Sequence, residues 1–405
     1  MLNTPKGLRI HIGLFGQRNA GKSSLINALT NQKISIVSNV AGTTTDPVEK
    51  AYELHPVGPV VFIDTAGIDD IGSLGLQRVA RSHSILNWVD VALIISTATT
   101  FGEHEKALLQ QVKKNKTPAI LVINQIDVRP THIEKWQEWG VPVVLTSTLN
   151  PATIEDLRNT LIQVISSQIA PDRPLAGDLV KEGDTVLLVT PIDTGAPKGR
   201  LILPQVQAIR EILDTHAKCL VVQRNRVAEM LGELKHAPCL VITDSQVIHT
   251  VAPQVPSQIP LTTFSTQMAY SKSDIDVMAE GTAALAHLQP NDHILICETC
   301  SHHPQEDDIG RIKIPRLLEK FVKGPLQVDF SIGKDFPLDL SAYKVIIQCG
   351  GCIVSRQHML SRIRAAQAQN VPITNYGLTI SFLQGHLERV LSCHPEALKR
   401  FRQAL

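Results

Sequence analysis

The sequence predicts an α/β protein in three domains, a doubly wound N-terminal sheet followed by two smaller α/β domains. Short β-branched runs alternate with segments of helical period almost from end to end, the pattern of parallel strands covered on both faces. A chain of 405 residues with 43% hydrophobic content exceeds what one core holds, and at roughly 100–200 residues per domain it divides into several. Two aperiodic stretches set the boundaries: APDRPLAGD at 170–178, and the Pro-, Thr- and Gln-rich TVAPQVPSQIPLTTF. The expected domains are 1–169, 178–262 and 265–405.

In the first domain the expected strands are LRIHIGLF, VVFIDTAG, VALIIST, AILVINQID and VPVVLTST, with SSLINALT and IEDLRNTLIQVI among the helices between them. The second offers DTVLLVTPID, then LPQVQAIREILDTH with Val206, Ile209, Ile212 and Leu213 on one helical stripe, then KCLVVQ, RVAEMLGEL and PCLVIT. It carries no phosphate loop and no cluster of ionisable residues, so a scaffold or oligomerisation role is expected of it. The third offers DHILICETC, GRIKIPRLLEKFV, LQVDFSIG, AYKVIIQCGGC and SRQHMLSRIRAAQAQN.

The 39 basic and 38 acidic residues nearly cancel, so no global charge draws the chain to nucleic acid or to an anionic membrane. The N-terminus lacks the pattern of a secretory signal, and no apolar run approaches the roughly 18 residues of a membrane span. A cytoplasmic protein with no nucleic-acid or membrane partner is expected. Seven cysteines in that compartment stay reduced, which turns attention to metal.

GQRNAGKS, Gly16 to Ser23, fits G-x-x-x-x-G-K-[ST] between a strand and a helix, the context that gives the motif its meaning. Backbone N–H groups of Gly16, Asn19, Ala20 and Gly21 would turn toward phosphate oxygens at a helix N-terminus, with Ser24 continuing the helix. Lys22 would reach the β and γ phosphates, and Ser23 would give its hydroxyl to Mg²⁺. Asp64 ends the strand VVFID and can hold Mg²⁺ through water, Gly67 can turn its N–H to the γ-phosphate, and Thr44 in AGTTTDP can close over the metal. Lys22, Thr44, Asp64 and Gly67 are therefore the candidate catalytic residues. Further strands end in Asn124-Gln-Ile-Asp127 and in Thr146-Ser147-Thr148, which place Asn124, Asp127, Ser147 and Thr148 on the base side.

These elements resemble the GTPase signature over about 160 residues. The resemblance implies that Asp127 accepts from the guanine ring N–H and exocyclic amine while Asn124 helps to seat the base, selecting GTP and GDP because adenine lacks the matching donors. Gln125 stands where that signature most often has Lys. The loops RNAGKSS and GTTTD resemble most closely the bacterial tRNA-modification and ribosome-assembly branch. There an Asn placed as Asn19 is, with carbonyls of the AGTTTDP loop, holds K⁺ beside the phosphates, so slow, K⁺-stimulated hydrolysis is implied. Position 68 is Ile, not a water-orienting Gln.

The third domain supplies Cys297-Glu-Thr-Cys300-Ser-His302-His303 and, after a long interval, Gln348-Cys349-Gly-Gly-Cys352. Thiolates and imidazoles ending adjacent strands can converge at one sheet edge, and either zinc or an iron–sulfur cluster uses such ligands. Cys219, Cys239 and Cys393 are solitary and read as core residues.

The chain as a whole resembles the HydF family of [FeFe]-hydrogenase maturation GTPases, which joins a GTPase domain, a dimerisation domain and a cluster-binding domain with the pattern C-x-H, a long interval, then H-C-x-x-C. Cys300-Ser-His302 and Cys349-Gly-Gly-Cys352 match it. The resemblance implies that Cys300, Cys349 and Cys352 ligate a [4Fe–4S] cluster, with Cys297 pointing into the sheet. Gln348 stands at the second His of the pattern, so the fourth iron position falls to His302, to an acid among Glu306, Asp307 and Asp308, or to an exchangeable outside ligand. It also implies a homodimer that receives a transient diiron precursor built with two radical-SAM maturases and delivers it to apo-[FeFe]-hydrogenase, with GTP as the switch. Two other readings stand beside it: a regulatory GTPase of tRNA modification or ribosome assembly with structural zinc, and a thiol–disulfide enzyme cycling its C-x-x-C pairs. The first would call for a basic stripe or stacking aromatics, and aromatic content is 4%.

Overall fold

The computed structural model describes residues 4–31, 47–67, 81–170, 173–191, 201–299 and 308–405. The chain divides into two compact units, residues 1–171 and 172–405.

In the first unit, aliphatic runs buried on both faces make the centre of a six-stranded sheet. β1 (Ile10–Phe15), β3 (Gly58–Asp64), β4 (Val91–Thr97) and β5 (Ala119–Asn124) are flanked by β2 (Val48–Leu54) and β6 (Val143–Leu145), in the order β2-β3-β1-β4-β5-β6. One face is filled by Leu25, Ile26 and Leu29 of α1 (Lys22–Thr30) and by Leu157 and Leu161 of α3 (Pro151–Gln168); the other takes Leu108, Leu109 and Val112 of α2 (Glu103–Asn115). The sheet is not purely parallel, as the sequence led one to expect: β2 runs antiparallel to β3. Its sequence VEKAYEL is an edge strand with charged residues spread along it, and only Leu54 is buried, so it lacks the continuous apolar run that marks a central strand.

The second unit carries two four-stranded parallel sheets. The first has the order β10-β9-β7-β8, from β7 (Thr185–Val189), β8 (Lys218–Val222), β9 (Leu240–Thr243) and β10 (Leu261–Thr263). The second has the order β12-β11-β13-β14, from β11 (His293–Glu298), β12 (Gln327–Ile332), β13 (Val345–Gln348) and β14 (Ile373–Asn375). The stretch 250–264, a break by composition, contains β10, the edge strand of the first of these sheets. The tail of the other expected linker is also packed: Leu175 and Ala176 are buried, and their N–H groups donate to Glu211 Oε2 at 2.5 and 3.0 Å.

Helix α4 (Leu203–Asp214) corrects the expected stripe. Ile212 is buried together with Ala208, and Ile209 is partly buried, whereas Val206 and Leu213 are 49% and 54% exposed. With Val221 on the edge strand β8, 46% exposed, they add apolar surface to this domain.

Helix α6 (Phe264–Lys272) serves both sheets of the second unit. Phe264 and Met268 pack in the core of the first, while Ser265 O accepts from Asn375 Nδ2 at 2.9 Å and Ser265 Oγ from Gly377 N at 3.1 Å, beside the second. Its Tyr270 stacks on His394 at 4.7 Å between ring centroids, donates to Asp178 at 2.6 Å, and lies under the Arg173 guanidinium.

Burial, and then Arg173, push the His394 pKa down from the usual 6.5 to about 4. The folded chain therefore binds fewer protons there than the unfolded chain, and the stability this neutral ring confers is present above pH 6.5 and lost as pH falls from 6.5 toward 4. Unfolding by urea at pH 7 and pH 5 should show the parent losing about 2 kcal/mol more than His394→Gln over that interval.

Candidate nucleotide site and candidate metal centre

The phosphate loop runs from the end of β1 to the start of α1. Gly21 adopts φ +90°, a left-handed conformation, and a Cβ there would overlap Asn124 Nδ2; glycine is required on both counts. The turn hands directly into the helix, where Leu25 N donates to Gly21 O at 2.9 Å, so the free N–H groups of the first turn face the loop. Lys22 is buried and its Nζ donates to the carbonyls of Gly16 and Gln17 at 2.9 and 2.8 Å, which fixes the ammonium at the loop mouth. Ser23 Oγ donates to Asp64 Oδ2, joining the two candidate Mg²⁺ residues directly. Burial raises the Asp64 pKa, against the lowering by Ser23 and Lys22; a divalent cation at this pair would relieve that penalty. Gly67 is buried beyond the strand end, Ala20 is 1% exposed and Ser24 is exposed. Thr44 and Ile68 lie outside the described residues.

The base side is tied to the phosphate side by two amides. Asn124, 2% exposed at the end of β5, donates through Nδ2 to Ala20 O at 2.9 Å and accepts from Thr146 Oγ1 at 3.0 Å. One side chain thus links the phosphate loop, β5 and the turn after β6. Gln125, with φ +61°, donates through Nε2 to Asn19 O at 2.9 Å. This role was not read from the sequence, where the residue registers only as a departure from Lys; a Gln keeps one donor that spans the same gap. Asp127 is exposed in the turn that follows, Ser147 is buried, and Thr148 is exposed beside it. Ser147 N and O both bond Thr153 Oγ1, at 3.0 and 3.1 Å, which anchors this turn to α3.

In the second unit, β11 and β13 lie side by side with Cys297 opposite Gln348. Cys297 is fully buried in the core, where burial pushes its thiol up to about 12. Its side chain is packed into that core. Cys349 follows β13 directly; its Sγ accepts from Thr299 N at 3.2 Å and lies 3.1 Å from Thr299 Oγ1. Gly351 takes φ +66°, and a Cβ there would overlap the Met359 sulfur, so the loop to Cys352 closes only with glycine. Burial raises the Cys352 pKa, with Cys349 adding to the rise and Lys272 opposing it. Lys272, fully buried on α6, donates to Val354 O at 2.9 Å and so holds the far end of this loop. Gln348 is buried, its Nε2 3.8 Å from Met359 Sδ and its Oε1 without a partner.

Cys300, His302, Glu306 and Asp307 lie outside the described residues. Among the described residues no three His, Cys, Asp or Glu side chains converge as a metal-binding group. Asp308 caps the helical segment that begins at Ile309, accepting from Arg311 N at 2.8 Å. Cys219, Cys239 and Cys393 are half-buried against the core of the first sheet, and burial raises all three thiols, Cys239 and Cys393 to about 11.

Phosphate loop, strand-end acid and the Asn124–Asp127 turn define the first unit as a P-loop GTPase domain; the family model for the 50S ribosome-binding GTPase matches residues 11–125. The models for the hydrogen maturase F dimerization domain and tetramerization domain match residues 175–273 and 276–393. The chain belongs to the hydrogen maturase F, or HydF, family. GTPase Der of Campylobacter jejuni serotype O:6 is 33% identical over 172 residues, covering 39% of this chain and 37% of that protein. GTPase Der of Wolinella succinogenes is 34% identical over 169 residues, covering 38% and 36%. The chain thus spans little more than a third of the length of these curated relatives. The G domain of the T. maritima FeoB iron transporter is 25% identical, with a TM-score of 0.31, covering 38% of this chain and 98% of that one. No helix among the described residues is long and apolar enough to cross a membrane.

Gly21→Ala should weaken GTP binding at least tenfold by titration calorimetry, because its methyl group displaces the Asn124 amide from Ala20 as well as straining the loop.

Proposed function

We propose that this chain is a GTP-hydrolysing scaffold of [FeFe]-hydrogenase maturation: it holds a [4Fe–4S] cluster on Cys300, Cys349 and Cys352, accepts a diiron precursor made with two radical-SAM maturases, and delivers it to apo-[FeFe]-hydrogenase. The observation that carries the cluster reading is the Cys349 sulfur, which accepts the N–H of Thr299 and lies in hydrogen-bond contact with its hydroxyl beside a glycine turn. Hydrogen bonds of this kind to sulfur are among the levers that tune iron–sulfur sites. Thiol donors fit such a group: Cys349 and Cys352 flank the Gly350-Gly351 turn, and Thr299 precedes Cys300 in sequence. The cluster, when bound, would supply iron, whose fourth position falls to His302, to an acid among Glu306, Asp307 and Asp308, or to an exchangeable outside ligand. Lys272, buried near Cys352, would offset the negative charge of bound thiolates.

On the nucleotide side, Lys22 and the first turn of α1 bind the β and γ phosphates, while Ser23, Asp64 and Thr44 hold Mg²⁺. Asp127 reads guanine, and Asn124, fixed between Ala20 and Thr146, keeps the base and phosphate subsites in register. Asn19 and the AGTTTDP loop would hold K⁺ where charge develops on the transferred phosphoryl. GTP hydrolysis then acts as a switch on partner association or cluster exposure, not as a step in cluster chemistry. The exposed Val206, Leu213 and Val221 fit a homodimer, and the location expected is cytoplasmic.

Anaerobic reconstitution with iron and sulfide tests the cluster. The parent should turn brown and give a reduced-cluster paramagnetic resonance signal, Cys349→Ala should lose most of its iron, and Cys297→Ala should keep its iron while losing about 1 kcal/mol of stability. A colourless protein carrying zinc, or equal iron loss from both variants, refutes the reading. GTP turnover should be several-fold faster in K⁺ than in Na⁺ buffer; equal rates remove the cation from the mechanism.

A further inference from the structure

The signature G-x-x-x-x-G-K-[ST] leaves its second position open, and in this chain that position is Gln17. Both ends of the residue are in use. Its carbonyl accepts from Lys22 Nζ at 2.8 Å, while its side chain leaves the loop the other way, Nε2 donating to Thr100 O at 2.8 Å and to Glu105 Oε2 at 3.2 Å. One residue therefore joins the lysine to the turn that leads from β4 into α2.

That turn is itself fixed. Thr100 Oγ1 accepts from Thr97 N at 3.2 Å, Phe101 packs edge-on against Trp136 at 5.2 Å between ring centroids, and Arg129 Nη1 donates to Thr97 Oγ1 at 3.1 Å. Glu105 closes it, since the same Oε2 accepts from Gly102 N at 2.9 Å and caps the first turn of α2. A cap alone is served by an acid that stays in water. Glu105 is instead fully buried, and its Oε1 has no partner among the described residues, a placement that costs free energy an exposed cap would not. What the buried position adds to a cap is the bond to Gln17.

We propose that Gln17 is a positioning residue for GTP hydrolysis and Glu105 its anchor: together they hold the carbonyl on which Lys22 rests, and so set where the ammonium meets the phosphates. This inference rests on the GTPase reading and adds to it a residue that the signature does not specify. Lys22 Nζ is carried by the carbonyls of Gly16 and Gln17, at 2.9 and 2.8 Å, so its reach toward the β and γ phosphates is measured from them. Charge moves onto the bridging and leaving oxygens in the transition state, where a displaced ammonium loses most. Ground-state binding is spread over the N–H groups of the loop and the helix start, and depends on this one contact less.

The test uses the full chain with GTP and Mg²⁺. Gln17→Ala should lower kcat about tenfold while its GDP affinity, by titration calorimetry, stays within about threefold of the parent. Glu105→Gln keeps an acceptor for both donors and should turn over within about twofold of the parent, whereas Glu105→Ala should be several-fold slower. Because the two residues act through one tie, the variant carrying both alanines should be no slower than the slower single variant. Where Glu105→Ala does not fold, Gln17→Ala and Glu105→Gln decide the matter. A Gln17→Ala chain with the parent's kcat overturns the inference, and so does one that loses kcat and GDP affinity in equal measure. Effects that multiply in the double variant, or a Glu105→Gln chain much slower than the parent, overturn it as well. A parent that does not hydrolyse GTP overturns the GTPase reading beneath it too.

Discussion

A buried ammonium anchors the cysteine loop. Lys272, fully enclosed at the end of α6, donates to Val354 O two residues beyond Cys352. A lysine that is buried and charged is costly, and it is retained only where its donors are satisfied and its charge has work nearby. The same helix begins with Phe264 in the core of the first small sheet and carries Ser265, which bonds Asn375 and Gly377 of the second. The two small sheets thus share one helix within the unit 172–405.

In the GTPase domain the comparable constraint is the Asn124 amide, whose two ends bond Ala20 and Thr146. Three loops that arrive from distant parts of the chain are thereby locked in one geometry. Gln125 adds a second tie to the phosphate loop through Asn19. An amide in place of an ammonium keeps the donor and gives up the charge, so the link survives while its electrostatic pull on a nucleotide does not.

The phosphate loop, the central strands and the Asn124–Asp127 turn were legible in the sequence because each is contiguous and has a characteristic spacing. β2 was not, because an edge strand with charged residues and only one buried position has no strong period. The stripe on α4 was half right: Ile209 and Ile212 pack inward, but Val206 and Leu213 follow the same period onto an exposed surface, and periodicity reports what is apolar, not what covers it. β10 hid inside a Pro-rich stretch because three residues carry too little pattern to outweigh their neighbours. Thr299 and Lys272 could not be found from spacing at all. They belong to two segments brought together at the cysteine loop by the fold, and nothing local marks a Thr or Lys as a neighbour of that loop.

Alternation along a single strand sorts the sulfurs. On β11, Leu295 and Cys297 face one core, while Ile294 and Ile296 face the other, so a one-residue difference decides which side a side chain serves. Cys297 falls on the closed side, where burial keeps its thiol protonated and unreactive. Glu298 falls on the opposite side with Arg311, and Thr299, just past the strand, turns its donors to Cys349. Cys349 stands just past the end of β13, where the Thr299 N–H is free to reach its sulfur, whereas Cys297 stays inside β11. The pleat of β11 places Cys297 in the core before any ligand is considered.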